Sequence, residues 1–158
     1  MMINSEIWQQ LVTLQTEYSD IVDRAEWDKW TELFTDDCVY KVIPRENYDR
    51  HLPLSTINLE SKGMLKDRIY GVAETLFHDP YYQRHVVGLP HITAITEEGI
   101  IARTHYAIFR TKADGHSEVF NVGYYLDNVV QTPEGLRFAS RLCIFDSELV
   151  PNSLIYPI

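Results

Sequence analysis

His116–Val130, HSEVFNVGYYLDNVV, is the stretch around which the rest of the chain is organised. Alternate residues Phe120, Val122, Tyr124, Leu126 and Val130 are apolar or aromatic, and only Asn128 interrupts them. The opposite register, Val119, Asn121, Gly123, Tyr125, Asp127 and Val129, is mixed. Alternation with period two predicts a β-strand packed hard on its even-numbered face and less fully on the other. At ~3.3 Å per residue such a strand would span roughly 50 Å, far more than an ordinary one. A strand that long must bend, and Gly123, with no side chain, is where a bulge is expected. It would form the spine of a curled sheet that wraps helices.

The neighbouring segments extend this sheet. Pro133-Glu134-Gly135 marks a turn into a further strand, Leu136 to Asp146. On the other side, Ala113-Asp114-Gly115 is a hairpin signal after a long strand from Ile100 to Lys112. Gln83 to Ile95 reads as strand broken at Gly88 and Pro90. Upstream, Ile7, Leu11, Leu14, Tyr18, Ile21 and Ala25 recur every three or four residues, one face of an amphipathic helix. Trp27, Trp30 and Phe34 predict a second, short helix, ended by Asp36-Asp37. Cys38 to Ile43 reads as a strand stopped by Pro44, and the following RENYDRHLPL is polar and irregular. After a short strand at Ile57–Leu59, Ser61 can cap a third helix with Leu65, Ile69, Val72 and Leu76 on its apolar face. Helices come first and a meander of antiparallel strands last, which predicts an α+β roll, one domain over residues 1–158.

Composition limits the function classes. The 158 residues suffice for a core without staples, and 14 basic against 23 acidic residues give a net charge of −9. That balance argues against nucleic acid or an anionic membrane as the main partner. Two cysteines far apart, Cys38 and Cys143, are expected as buried free thiols, which suits a cytoplasmic protein. The opening MMINSEIW has no basic region followed by an apolar one, and no apolar run reaches the ~20 residues that cross a bilayer.

Candidate chemistry is sparse. Arg103, His105, Ala107 and Phe109 share one strand face, Tyr125 and Asp127 another, and Asp20 and Asp23 lie near the apolar edge of the first helix. His105 or His85, paired with Asp23 or Asp127, could act as a general acid/base pair in the cone of a roll. Such residues on half-exposed strands more often make structural hydrogen bonds or face solvent. HDPYYQRH offers His78, Asp79 and His85, but the spacing matches no metal-ligand motif and Pro80 intervenes. No metal site, phosphate loop or activated nucleophile is predicted. The aromatic loop around His78, Asp79, Tyr81 and Tyr82, with Arg84, has the composition of an inter-subunit contact, although aromatics also fill cores. The tail, LVPNSLIYPI, has no charge after Glu148 and must dock somewhere. It is expected to lie extended, with Leu154 and Tyr156 on one side, Ile155 on the other, and one side available to a neighbour.

Four stretches in order carry a family resemblance: DRAEWDKWTELFTDDCVYKVIPRENY (23–48), ESKGMLKDRIYGV (60–72), HDPYYQRHVVG (78–88) and GYYLDNVVQTPEGLRFASRLCIFDSELVPNSLIYPI (123–158). In this order and spacing the chain resembles the small (β) subunits of aromatic-ring-hydroxylating Rieske oxygenases. Among them it is most similar to those of salicylate 5-hydroxylases, and more distantly to that of terephthalate dioxygenase. The resemblance implies a cystatin-like, nuclear-transport-factor-2-like roll, with N-terminal helices packed on a long, curled, mostly antiparallel sheet. It also implies an assembly role, with no catalytic residue, metal or cofactor in this chain. The [2Fe–2S] cluster, the mononuclear iron and the substrate pocket would belong to a large (α) subunit. Three large and three small subunits would assemble, the small ones self-associating as a trimer. A free-standing dehydratase or isomerase using the His–Asp pair is the competing expectation.

Overall fold

The computed structural model describes residues 4–75, 80–147, 149 and 154–158. Helix α1 spans Ser5–Asp23 and starts where the Asn4 side chain accepts the Glu6 N–H. Its predicted stripe faces inward through Leu11, Leu14 and Tyr18, joined by Val22 and by Gln15. The short helix α2, Trp27–Glu32, follows a left-handed residue at Ala25 (φ 55°). Helix α4, Lys62–Tyr70, begins as expected at Ser61, whose hydroxyl accepts the Met64 N–H, and runs into a π-helical turn at Gly71–Thr75. Leu65, Ile69 and Val72 are buried, while Leu76 lies outside the described residues.

Seven strands form one sheet: β1 Phe34–Pro44, β2 Ile57–Leu59, β3 Tyr81–Val87, β4 His91–Thr96, β5 Gly99–Lys112, β6 Glu118–Thr132 and β7 Gly135–Phe145. Their order is β2-β1-β7-β6-β5-β3, with β4 also pairing β5. Every pairing is antiparallel except β1 with β7, where Val42 lies beside Cys143. The sheet curls around α1, α2 and α4 without closing. Cys38 and Cys143 are both free and buried.

Several sequence expectations need correction. Phe34, expected on the second helix, and Asp36-Asp37, expected to end it, lie in β1 instead, where Phe34 pairs with Phe138. The polar stretch after Pro44 contains a one-turn helix, α3, Arg45–Asp49. It buries nothing and so leaves no apolar periodicity; the exposed Arg45–Asp49 and Arg50–Glu46 pairs sit at helical spacing. The spine strand is also turned over. Ile108 pairs with Asn121 but Phe109 with Val119, so Phe120 is the extra residue of a bulge. Phe120 and Asn121 both face inward, and beyond them the odd register, Tyr125, Asp127 and Val129, is buried. Val122 points outward instead, and Tyr124 and Leu126 share its face.

Gly123, three residues past the bulge, has a different role from the one expected. A Cβ there would lie 1.9 Å from the Ile144 carbonyl oxygen and 2.8 Å from the Phe145 Cα. The backbones of β6 and β7 approach too closely for any side chain.

Candidate functional site

Two regions carry the groups singled out in the sequence: the interior of the roll and the outer face of β3, β5 and β6. Inside, the aromatic rings of Tyr18, Trp30, Phe34, Tyr40, Tyr125 and Phe138 are wholly or almost wholly buried. They meet mostly edge to face, as Tyr18 does with Tyr125 at 5.9 Å and Trp30 with Tyr40 at 5.3 Å. Burial drives the Tyr18 and Tyr40 phenols well above their ordinary pKa, so both hydroxyls stay protonated.

Among these rings lies a buried ion pair. Arg141 donates from Nε to Asp127 Oδ1 and from Nη2 to Asp127 Oδ2, each at 2.8 Å. Gln15 on α1 donates to Asp127 Oδ2 at 2.8 Å and accepts from Arg141. The guanidinium also sits 3.8 Å from the Tyr125 ring centre and 4.1 Å from those of Tyr18 and Phe138. Burial opposes its charge, but the Asp127 carboxylate outweighs that and raises its pKa further. Asp127 is therefore committed to Arg141 and is not available to a histidine. Gln15 and Arg141 escaped the sequence reading. Their only signal was a polar residue inside an apolar periodic face.

Elsewhere in the interior a predicted partnership forms. Asp23, the last residue of α1, accepts the His85 backbone N–H at 2.8 Å and meets His85 Nδ1 at 2.6 Å. The His85 side chain is fully buried, its ring lies edge-on to Tyr18 at 6.4 Å, and its Nε2 has no hydrogen-bond partner among the described residues. A carboxylate on Nδ1 fixes the tautomer and would suit an acid/base role if a substrate reached Nε2. His105 is exposed on the outer face, opposite Tyr124, and joins neither aspartate. Among the described residues no three His, Cys, Asp or Glu side chains gather as a metal site would require. His78 and Asp79 lie outside the described residues.

Outside, the bulge has placed apolar residues in register across three strands. Val86, Ala107 and Val122 form one row, and Arg84, Phe109 and Val119 the next. Tyr82 is 77% exposed, Val119 60% and Val86 56%. Arg103 lies over the Tyr124 ring at 4.9 Å. The predicted contact residues divide between the two sides of the sheet. Tyr82 and Arg84 point outward, while Tyr81 turns inward against Phe120 and Tyr156, its ring 4.6 Å from the latter. Leu154 is buried in the core, and Tyr156 packs between Tyr81 and Trp27.

With this geometry in hand, comparison with known proteins is specific. The SnoaL-like domain family matches residues 6–142. The anthranilate 1,2-dioxygenase small subunit of Burkholderia cepacia is 32% identical over 151 residues, 96% of this chain and 94% of that protein. A β subunit of the terminal oxygenase component of terephthalate 1,2-dioxygenase from a Comamonas species is 29% identical over 149 residues, covering 94% and 97%. A crystal structure from Novosphingobium aromaticivorans, assigned as the β subunit of an aromatic-ring-hydroxylating dioxygenase, superposes with a TM-score of 0.88. It is 32% identical, covering 96% of this chain and 97% of that one. The chain thus belongs to the SnoaL-like domain family and, within it, to the small subunits of aromatic-ring-hydroxylating dioxygenases.

Proposed function

We propose that this chain supports a large oxygenase subunit through the outer face of β3, β5 and β6. The observation behind this reading is the apolar register Val122, Tyr124 and Leu126, turned away from the core by the bulge at Phe120. A strand that buries its mixed register and leaves part of its apolar one exposed gains by covering the latter with a neighbour. The large subunit carries the [2Fe–2S] cluster and the mononuclear iron. Three large and three small subunits assemble in the cytoplasm, the small ones as a trimer. The substrate is salicylate or a related aromatic acid, a reading supported by relatives named for anthranilate and terephthalate, themselves aromatic acids.

The test is co-expression with the large subunit followed by size-exclusion chromatography and metal analysis. Val122→Asp places a charge in the centre of the face and is expected to abolish the hetero-oligomer while the chain stays folded. Iron is expected to co-purify with the complex and not with this chain alone. Normal assembly of the variant, or stoichiometric iron in the isolated chain, overturns the proposal.

The His85–Asp23 contact favours a second reading, an acid/base site within the roll. His85→Gln in an intact complex separates the two. An assembled complex with lost turnover supports chemistry in this chain, whereas unchanged turnover assigns the pair to tying α1 to β3.

A further inference from the structure

Residues Leu154–Ile158 belong to no helix or strand, yet Leu154, Pro157 and Ile158 are buried. Side chains from five different elements hold the backbone of this segment. Arg68 of α4 donates to the Leu154 and Ile155 carbonyls at 3.0 and 2.8 Å. Gln83 of β3 donates to the Pro157 carbonyl at 3.2 Å. Tyr18 of α1 and Tyr40 of β1 both donate to the Ile158 oxygen, at 2.5 and 3.0 Å, and Cys143 of β7 reaches it at 3.5 Å. The Tyr40 hydroxyl also accepts the Ile158 N–H at 2.9 Å. The side chains are gripped as well, Tyr156 between the rings of Trp27 and Tyr81.

This is how a receptor holds a bound peptide, not how a sheet holds a strand; the segment, expected to lie extended, bends at Tyr156. Every polar contact named comes from a side chain, the donors reach four of the five carbonyl oxygens, and Tyr156 enters aromatic surroundings. Tyr18, Tyr40 and Gln83 are themselves buried, so without the segment their polar groups would be left without those partners. Pro157 lowers the entropy lost on binding. We propose that the pocket formed by these side chains is a binding site for a short, apolar peptide, and that the chain's own residues 154–158 occupy it as a ligand in cis.

The first test uses the full chain. Tyr18→Phe with Tyr40→Phe keeps both rings and removes both hydroxyls. The Ile158 amide is expected to exchange its hydrogen about tenfold faster or more, with core amides of β6 little changed. The second test deletes residues 154–158 and adds the peptide Leu-Ile-Tyr-Pro-Ile, with the reversed-order peptide as control. A saturable rise in Tm of about 2–4 °C is expected for the shortened chain, and none for the intact chain or with the reversed peptide. Equal shifts in both chains, or no shift in a folded shortened chain, overturn the site. If the shortened chain does not fold, the double phenylalanine variant decides: unchanged exchange at Ile158 overturns the proposal.

Discussion

Asp127 and Arg141 stand directly opposite each other on β6 and β7, and their side chains meet as a two-pronged ion pair from which water is excluded. Such a pair contributes less by its attraction than it costs when halved. Arg141→Met leaves a buried carboxylate with Gln15 as its one side-chain donor among the described residues, and is expected to lower stability by about 3–5 kcal/mol. Replacing the group together, Gln15→Met with Asp127→Leu and Arg141→Met, should recover most of that loss. Urea unfolding followed by circular dichroism measures both.

Gly123 marks the closest approach of β6 to β7. Gly123→Ala forces a methyl group into the Ile144 carbonyl, and a loss of ~1–3 kcal/mol or more is expected. Gly63 in α4 is the control, because a Cβ there meets only the Ser61 hydroxyl at 3.6 Å. Gly63→Ala should be neutral or stabilise by up to about 1 kcal/mol. Thermal melts should show a lowered midpoint for Gly123→Ala and an unchanged or raised one for Gly63→Ala.

Tyr81 and Tyr82 are neighbours with opposite tasks. Tyr81→Ala removes a ring packed on Phe120 and Tyr156 and should destabilise the isolated chain by about 2–4 kcal/mol. Tyr82→Ala removes an exposed ring and should leave the melting temperature unchanged while weakening association with the large subunit. Melting and co-purification, run on both variants, separate the two effects.

Stability should fall in alkali. Burial pushes the Cys143 thiol up from 9.0 to about 12. Because the folded pKa is the higher, the unfolded chain loses this proton first. The contribution is intact below about pH 9 and declines as pH rises towards 12, by about 1.4 kcal/mol per unit for this thiol. Cys38, raised to about 11, acts in the same sense. Urea midpoints should change little between pH 8 and 9 and drop from pH 9 to 10 and 11, and Cys143→Ala should make the drop shallower.

Much of this architecture could be read from residue spacing, and the failures share a cause. The Ile7–Ala25 periodicity and the Ser61 cap announced their helices because each pattern is local. The spine strand misled because apolar alternation marks a face that avoids water, whether the cover comes from the same chain or another one. Val122, Tyr124 and Leu126 read as core for that reason, and a single extra residue at Phe120 was enough to reverse them. Of the possible His–Asp partners, spacing could not select His85 with Asp23, since the contact depends on where the end of α1 meets β3. Arg141 was invisible as a site residue because its contact with Asp127 depends on the register of β6 against β7, and its other partner, Gln15, lies 126 residues away on α1.

The parallel pairing of β1 with β7 has a bearing on synthesis. Val42 finds its neighbour only when Cys143 is present, so the sheet's centre cannot close while β7 is still inside the ribosome. Until then β1 can pair only with the three residues of β2, and the helices have an incomplete surface to pack on. Nascent chains should therefore stay protease-sensitive until β7 has emerged and then become resistant in a single step. An oxygenase subunit waiting nearby would meet either an unfinished chain or a finished roll, with little in between.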